Sequence, residues 1–183
     1  MDKQQDSLAV RLKAADRSAA AELVDMYYQQ IYHYVRRMGF GYAASEDLTQ
    51  DVFFQAWRHI AQLRNDQMLR PWLYRIATNA AKSRLRKKRS YTALEEAELI
   101  DENSQSWEKI ENKELLFKVK KEIDNLPIKL KQVVLLHYMQ HLTISEAAGA
   151  AGIKQGTFKS RLSRALKQLR KQLTAIKQDL DNE

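Results

Sequence analysis

The chain has 183 residues, 31 Lys+Arg against 23 Asp+Glu for a net charge of +8, five glycines, two prolines and no cysteine, which suits one domain or two small ones. Without thiols there is no disulfide framework, thiolate zinc site or cysteine nucleophile, and four histidines leave at most a poor metal site, so neither a metal nor a cofactor is expected. The basic balance points to a polyanion, nucleic acid or an anionic membrane; no apolar run reaches signal-peptide or membrane-spanning length, so a soluble cytoplasmic protein is expected.

The sign of the charge divides the chain: residues 1–89 carry +7, residues 90–114 carry −6 and residues 115–183 carry +7. Two basic domains joined by an acidic linker are expected. The linker is poor in apolar residues and has no clean period, so it should stay flexible or fold only on a partner, a solvated spacer being the plainer reading. In both basic parts apolar residues recur at three and four, which predicts an all-α fold of two small helical domains. Gly39 and Gly41 bracket a break between helices, and Pro71 and Pro127 are each expected to open one.

A helix is expected over 45–60, with Ser45 as N-cap and Glu46 and Asp47 suited to the positive end of its dipole. At about 100° per residue, Leu48, Val52, Phe53, Ala56, Trp57 and Ile60 form the buried stripe. Asp47, Gln50, Asp51 and Arg58 lie opposite, and Phe54 falls among them. An aromatic ring surrounded by charges is typical of a protein-binding hot spot, the competing account being cover by a neighbouring segment. Carboxylates Glu46, Asp47 and Asp51 have no histidine or further acid at matching helical spacing, which disfavours catalysis.

The next helix, 71–89, has an apolar side of Leu73, Ile76, Ala77 and Ala80. Arg75, Asn79, Lys82, Arg86 and Arg89 follow at intervals of four, three, four and three along one face, with Trp72 at its upper end. Cations track phosphates and an aromatic stacks on bases, the combination that single-stranded nucleic acid needs. A membrane-surface helix would oppose its cations with bulkier apolar residues than alanine; a solvated basic face is the plainer alternative.

Residues 126–170 have the layout of a helix-turn-helix. Thr143 and Glu146 are spaced as a capping box, Gly152 supplies the turn, and a longer helix follows. Its inward face is Phe158, Leu162, Ala165, Leu166 and Leu169; Ser160, Ser163, Arg164 and Lys167 face out, with chemistry suited to base edges and phosphates. His137 and His141 sit one turn apart without a third ligand, so they are expected to be structural or exposed.

These segments together resemble the extracytoplasmic-function (group 4) sigma factors of bacterial RNA polymerase. The motif SEDLTQDVF resembles the core-binding signature of sigma region 2, RPWLYRIATNAAKSRLRKKR its promoter-melting helix, and residues 126–170 sigma region 4. Ser83 departs from a commonly acidic position, Ala147 from a bulkier aliphatic, and Lys154 from a frequent Ser cap whose loss costs around 1 kcal/mol.

The resemblance implies that Asp47, Gln50, Asp51 and Phe54 dock on the β′ coiled coil of core polymerase. It implies that Asn65, Asp66, Gln67 and Met68 take a flipped base of the −10 element while Trp72, Arg75, Asn79, Lys82 and Arg86 hold the separated strand. The −35 element would be read by Lys159, Ser160, Ser163 and Arg164, with Lys167 on phosphate, and region 4 would meet the β flap. The acidic linker would imitate RNA in the exit channel. No catalytic residue is implied. An anti-sigma factor is an expected partner, through which the chain could be held at the membrane. A helix-turn-helix regulator working without core polymerase is the rival reading and leaves the region 2 features unexplained. A nuclease would want convergent carboxylates for metal ions, and none converge in the sequence.

Overall fold

The computed structural model describes residues 7–91 and 113–180, which form helices and turns with no strand among them. The acidic segment expected to be a flexible linker lies almost wholly outside the described residues.

Helix α1 (Leu8–Lys13) is short and capped by Ser7; α2 (Arg17–Arg37) is capped by Asp16, whose carboxylate accepts from the Ser18 amide at 2.8 Å. The α2 to α3 turn is made by Gly39 at φ +100°, a conformation that suits glycine. Helix α3 spans Tyr42–His59, with Gly41 as its N-cap. Ser45 is therefore not the cap. It lies buried inside the first turn, its hydroxyl donating back to the Gly41 carbonyl at 2.8 Å. The helix starts four residues early because the glycine turn, rather than the serine, releases the chain into it.

Two single 3-10 turns, Ile60–Gln62 and Asp66–Met68, lead into α4 (Leu69–Tyr91). Pro71 is the third residue of α4, not the first. It is tolerated because the first four helical N–H groups have no partner within the helix. The core of this half joins Leu23, Ile31, Tyr34 and Val35 of α2 to Leu48, Val52, Phe53 and Ala56 of α3 and Leu73, Tyr74 and Ala77 of α4. Tyr34 is fully buried, and its hydroxyl shares a 2.8 Å hydrogen bond with that of Thr78. Without that partner the buried hydroxyl would cost about 1–3 kcal/mol.

The second half contains α5 (Lys113–Asp124), α6 (Ile128–Val134) followed by a π-helical turn (Leu135–Met139), α7 (Ile144–Ala151) and α8 (Gln155–Leu180). Pro127 is the N-cap of α6 rather than its first residue. The Thr143–Glu146 capping box is present in both directions, and Gly152 closes α7 in the left-handed region at φ +67°. Helices α5, α6 and α7 all pack on α8, around Phe158, Leu162, Ala165 and Leu169.

The halves are not separate in space. Helix α4 packs more extensively on α7 than on any helix of its own half. The Arg70 guanidinium donates to the Gln140 backbone carbonyl at 2.6 Å, the Tyr74 hydroxyl donates to Gln140 Oε1, and Lys82 Nζ donates to the Ala151 carbonyl at 2.7 Å. A cavity of about 290 Å³ lies along the same seam, lined by Met38, Leu85 and Arg86 on one side and Ile128, Lys129 and Gln132 on the other.

Candidate functional site

The first surface lies on α3. Gln50, Asp51 and Phe54 lie three, four and seven residues beyond Asp47, so they share a stripe with it, and all four are exposed. Phe54 is 65% exposed, whereas its neighbour Phe53 is 8% exposed in the core. Trp57, expected in the buried stripe, is 36% exposed. It lies three residues beyond Phe54 at the edge of the buried arc, where no neighbouring segment covers it fully. The surface is thus a pair of aromatics with carboxylates along one side. Helical spacing picked out Phe54 and missed Trp57, because it reports direction but not cover.

The second surface joins the 65–68 turn to α4. The Asn65 side chain caps the turn by accepting from the Gln67 amide at 3.0 Å. The Asp66 carboxylate is held by Lys13 of α1 at 2.5 Å. Gln67 and Met68 stand exposed beside them. Along α4, Arg75, Asn79, Lys82 and Arg86 are exposed on one flank and Trp72 is half-buried; the Arg89 side chain lies outside the described residues.

The stripe is not wholly directed to solvent. Lys82 turns its ammonium onto the last carbonyl of α7, and burial, with a smaller contribution from Arg161, holds its pKa below the ordinary lysine value. Tyr74, opposite Gln140, is pushed up to about 12, chiefly by burial, so its hydroxyl remains a protonated donor at neutral pH. Neither Arg70, Tyr74 nor Gln140 was singled out by sequence. An aromatic and a cation one turn apart on α4 is the only trace they leave there.

The third surface is the outer face of α8. Lys159, Ser160, Ser163, Arg164 and Lys167 are all exposed, and Leu166 is half-buried, packed against the core on the inward face. Lys154 stands just before α8, its carbonyl accepting from the Phe158 amide at 2.9 Å, so the helix forms without a serine cap. Ala147 is fully buried in α7. His137 Nδ1 donates to the Leu142 carbonyl at 2.8 Å and His141 is exposed at φ +50°, so both have structural settings.

An exposed aromatic face, a basic helix and a helix-turn-helix therefore occur in the order expected of sigma regions 2 and 4. Residues 23–91 match Sigma-70 region 2 and residues 116–169 match Sigma-70, region 4. The ECF RNA polymerase sigma factor SigW of Bacillus subtilis is 31% identical over 174 residues, covering 89% of this chain and 93% of that protein. The chain belongs to the extracytoplasmic-function sigma factors. It is an alternative sigma factor, of the class that directs RNA polymerase to promoters, and its relatives are sigma factors rather than enzymes.

Other sigma factors are similar across most of their length. RNA polymerase sigma factor NccH of Alcaligenes xylosoxydans xylosoxydans is 27% identical, with 94% of each chain covered. Among solved structures, the sigma factor RpoE in complex with the anti-sigma factor NepR from Bartonella quintana has a TM-score of 0.71 at 22% identity, covering 84% of this chain and 96% of that one. The structure of CnrH in complex with the cytosolic domain of CnrY has a TM-score of 0.68 at 22% identity, covering 92% and 96%. Among the described residues no helix is long and apolar enough to cross a membrane.

Proposed function

We propose that this sigma factor works through three divided tasks: polymerase docking by the α3 face, −10 recognition and opening by the 65–68 turn with α4, and −35 recognition by α8. The domain division is residues 1–89, 90–114 and 115–183. The observation that carries this reading is the solvent-facing aromatic pair Phe54 and Trp57 beside Asp47, Gln50 and Asp51. Such a face offers a buried anchor and a charged rim to a protein partner and has no use in binding DNA, whose phosphates the carboxylates would repel.

Strand opening then draws on binding energy alone. Extruding a base from the stack costs a few kcal/mol. Contacts at Gln67 and Met68 and stacking on Trp72 offset it, while Arg75, Asn79, Lys82 and Arg86 retain the displaced strand. Arg164 reads base edges and Lys167 neutralises phosphate. No side chain of the chain is asked to make or break a bond. The β′ coiled coil and β flap of core polymerase are the protein contacts, and an anti-sigma factor is a further partner, in keeping with the complexes of the two similar structures.

Run-off transcription with purified core polymerase on a library of duplex templates tests this. Specific transcripts that depend on the chain are expected. A chain that binds duplex promoters yet starts no transcript with core polymerase would return the helix-turn-helix to a regulator's role.

A further inference from the structure

The cavity of about 290 Å³ between α4 and α6 is not accounted for by any of the three surfaces. Three helices build it. Met38 closes α2, Lys82, Leu85 and Arg86 share one face of α4, and Ile128 and Gln132 lie one turn apart on α6 with Lys129 beside them. Folded chains pack at the density of organic crystals and leave few voids larger than a water molecule, so a space of this size invites a guest. At the ~30 Å³ that one water occupies in the liquid, it has room for about ten non-hydrogen atoms, near the lower end of ligand pockets.

The lining grades from an open cationic rim to a buried floor. Arg86 and Lys129 are exposed, Leu85 and Ile128 half-buried, and Met38 and Gln132 each 2% exposed. The rim therefore carries one cation from each half, and no carboxylate lines the cavity. Lys82 is a third cation, already engaged by the Ala151 carbonyl at 2.7 Å. An anionic group at the rim meets Arg86 and Lys129 through charge-assisted hydrogen bonds. An aliphatic chain suits the walls, where the unbranched thioether of Met38 adapts to the shape of its neighbour.

One polar atom in this apolar setting has nothing to bind. Gln132 Nε2 is buried and has no hydrogen-bond partner. The other buried polar side chains among the described residues, Ser45, Thr49, Thr78, Lys131 and Gln140, are all engaged. A buried N–H without an acceptor is costly and rare. The terminal torsion of glutamine is broad, so the amide can turn into the cavity that its side chain lines, where an oxygen of a guest would pair it.

We propose that the cavity binds a medium-chain aliphatic carboxylate, about eight carbons long, that bears a hydroxyl at its far end. The carboxylate lies on Arg86 and Lys129, the chain runs against Met38, Leu85 and Ile128, and the hydroxyl oxygen accepts from Gln132 Nε2. Charge, length and a distal oxygen are thus required in one molecule. The guest binds the folded chain and not the unfolded one, so it stabilises the fold by mass action. The site gives the chain a small-molecule input in addition to its protein partners and DNA.

Calorimetric titration of the full chain with ω-hydroxyoctanoate and with octanoate tests this. One ω-hydroxyoctanoate per chain is expected, and octanoate, which leaves Gln132 without an acceptor, should bind about three- to tenfold more weakly. Gln132→Leu, which replaces the unpaired amide with an apolar side chain, should make the two acids equal. Ile128→Phe, which fills the cavity, should abolish binding of both and the rise in melting temperature that ω-hydroxyoctanoate gives the wild type. Lys129→Gln should weaken both acids about threefold and keep the preference between them.

Helix content by circular dichroism must match wild type, and the exposed Lys129→Gln decides if an interior variant fails to fold. Undiminished affinity in Lys129→Gln, or in a folded Ile128→Phe, places the acid elsewhere and overturns the site. Equal affinity of the wild type for the two acids, or no saturable binding of either, also overturns it. A chain that ignores both free acids yet sediments with phosphatidylglycerol vesicles uses these cations on a lipid surface, which overturns the proposal as well.

Discussion

Phe53 and Phe54 are adjacent phenylalanines whose truncation should have opposite consequences. Phe54 is 65% exposed and Phe53 8%. A phenylalanine offers roughly 200 Å² of surface, of which about a third is covered at Phe54; at about 25 cal/mol per Å² the loss of fold stability in Phe54→Ala stays below about 2 kcal/mol. Phe53→Ala opens a cavity between α2 and α3 and should cost about 3–5 kcal/mol. For polymerase the order reverses. An anchoring aromatic is worth about 2 kcal/mol or more on truncation, which is about thirtyfold in dissociation constant. Titrating labelled full-length chain with core polymerase, beside thermal unfolding of each variant, measures both quantities, and Asp51→Ala should weaken docking in the same sense by a smaller factor. Normal polymerase affinity in Phe54→Ala, or unfolding as severe as that of Phe53→Ala, would refute the docking face.

Three further outcomes are expected. Arg75→Ala with Arg86→Ala should leave polymerase docking intact and reduce promoter opening, seen as weaker permanganate reactivity of unpaired thymines; full opening would leave those cations as ordinary surface. In the holoenzyme, Arg164→Ala should relax preference at one or two −35 base pairs by about 1–3 kcal/mol, whereas Lys167→Ala should weaken all sequences alike and flatten the salt dependence by about one unit of slope, as a promoter library at several salt concentrations would register. Tyr74, chiefly through burial, binds its proton more tightly folded than unfolded, so its contribution to stability is complete below about pH 10 and is lost as pH rises toward about 12. Tyr34 titrates in the same sense, so the difference between wild type and Tyr74→Phe isolates the seam, and identical pH profiles for the two would remove Tyr74 from it.

What the sequence disclosed follows the range of the forces involved. The Thr143–Glu146 box and the Gly152 turn are set by neighbours within four residues, and the structure has them where the residues predict. The inward face of α8 was legible for the same reason, since its period is that of its own helix. Ser45 was misplaced because a serine that bonds back to the carbonyl four residues earlier is indistinguishable in sequence from one that caps. Trp57 was misplaced because helical projection gives an angle and exposure depends on what arrives from elsewhere. The Gln140 contacts cross 66 and 70 residues of chain and join two halves that each read as complete, so nothing local foretells them.

Helix α4 is crowded on nearly every side. Leu73 and Ala77 serve the first half's core, Arg70, Tyr74 and Lys82 meet the second half, and Arg75 and Asn79 stand on the remaining flank. Helix α2, by contrast, has a broad flank of Asp25, Met26, Gln29, Gln30 and His33 open to water. Sequence drift therefore has room on α2 and very little on α4, where a change that suits one neighbour must also suit two others. A helix under three simultaneous demands changes slowly, and when it does change it carries its partners with it: a new residue at position 74 calls for a matching one at position 140.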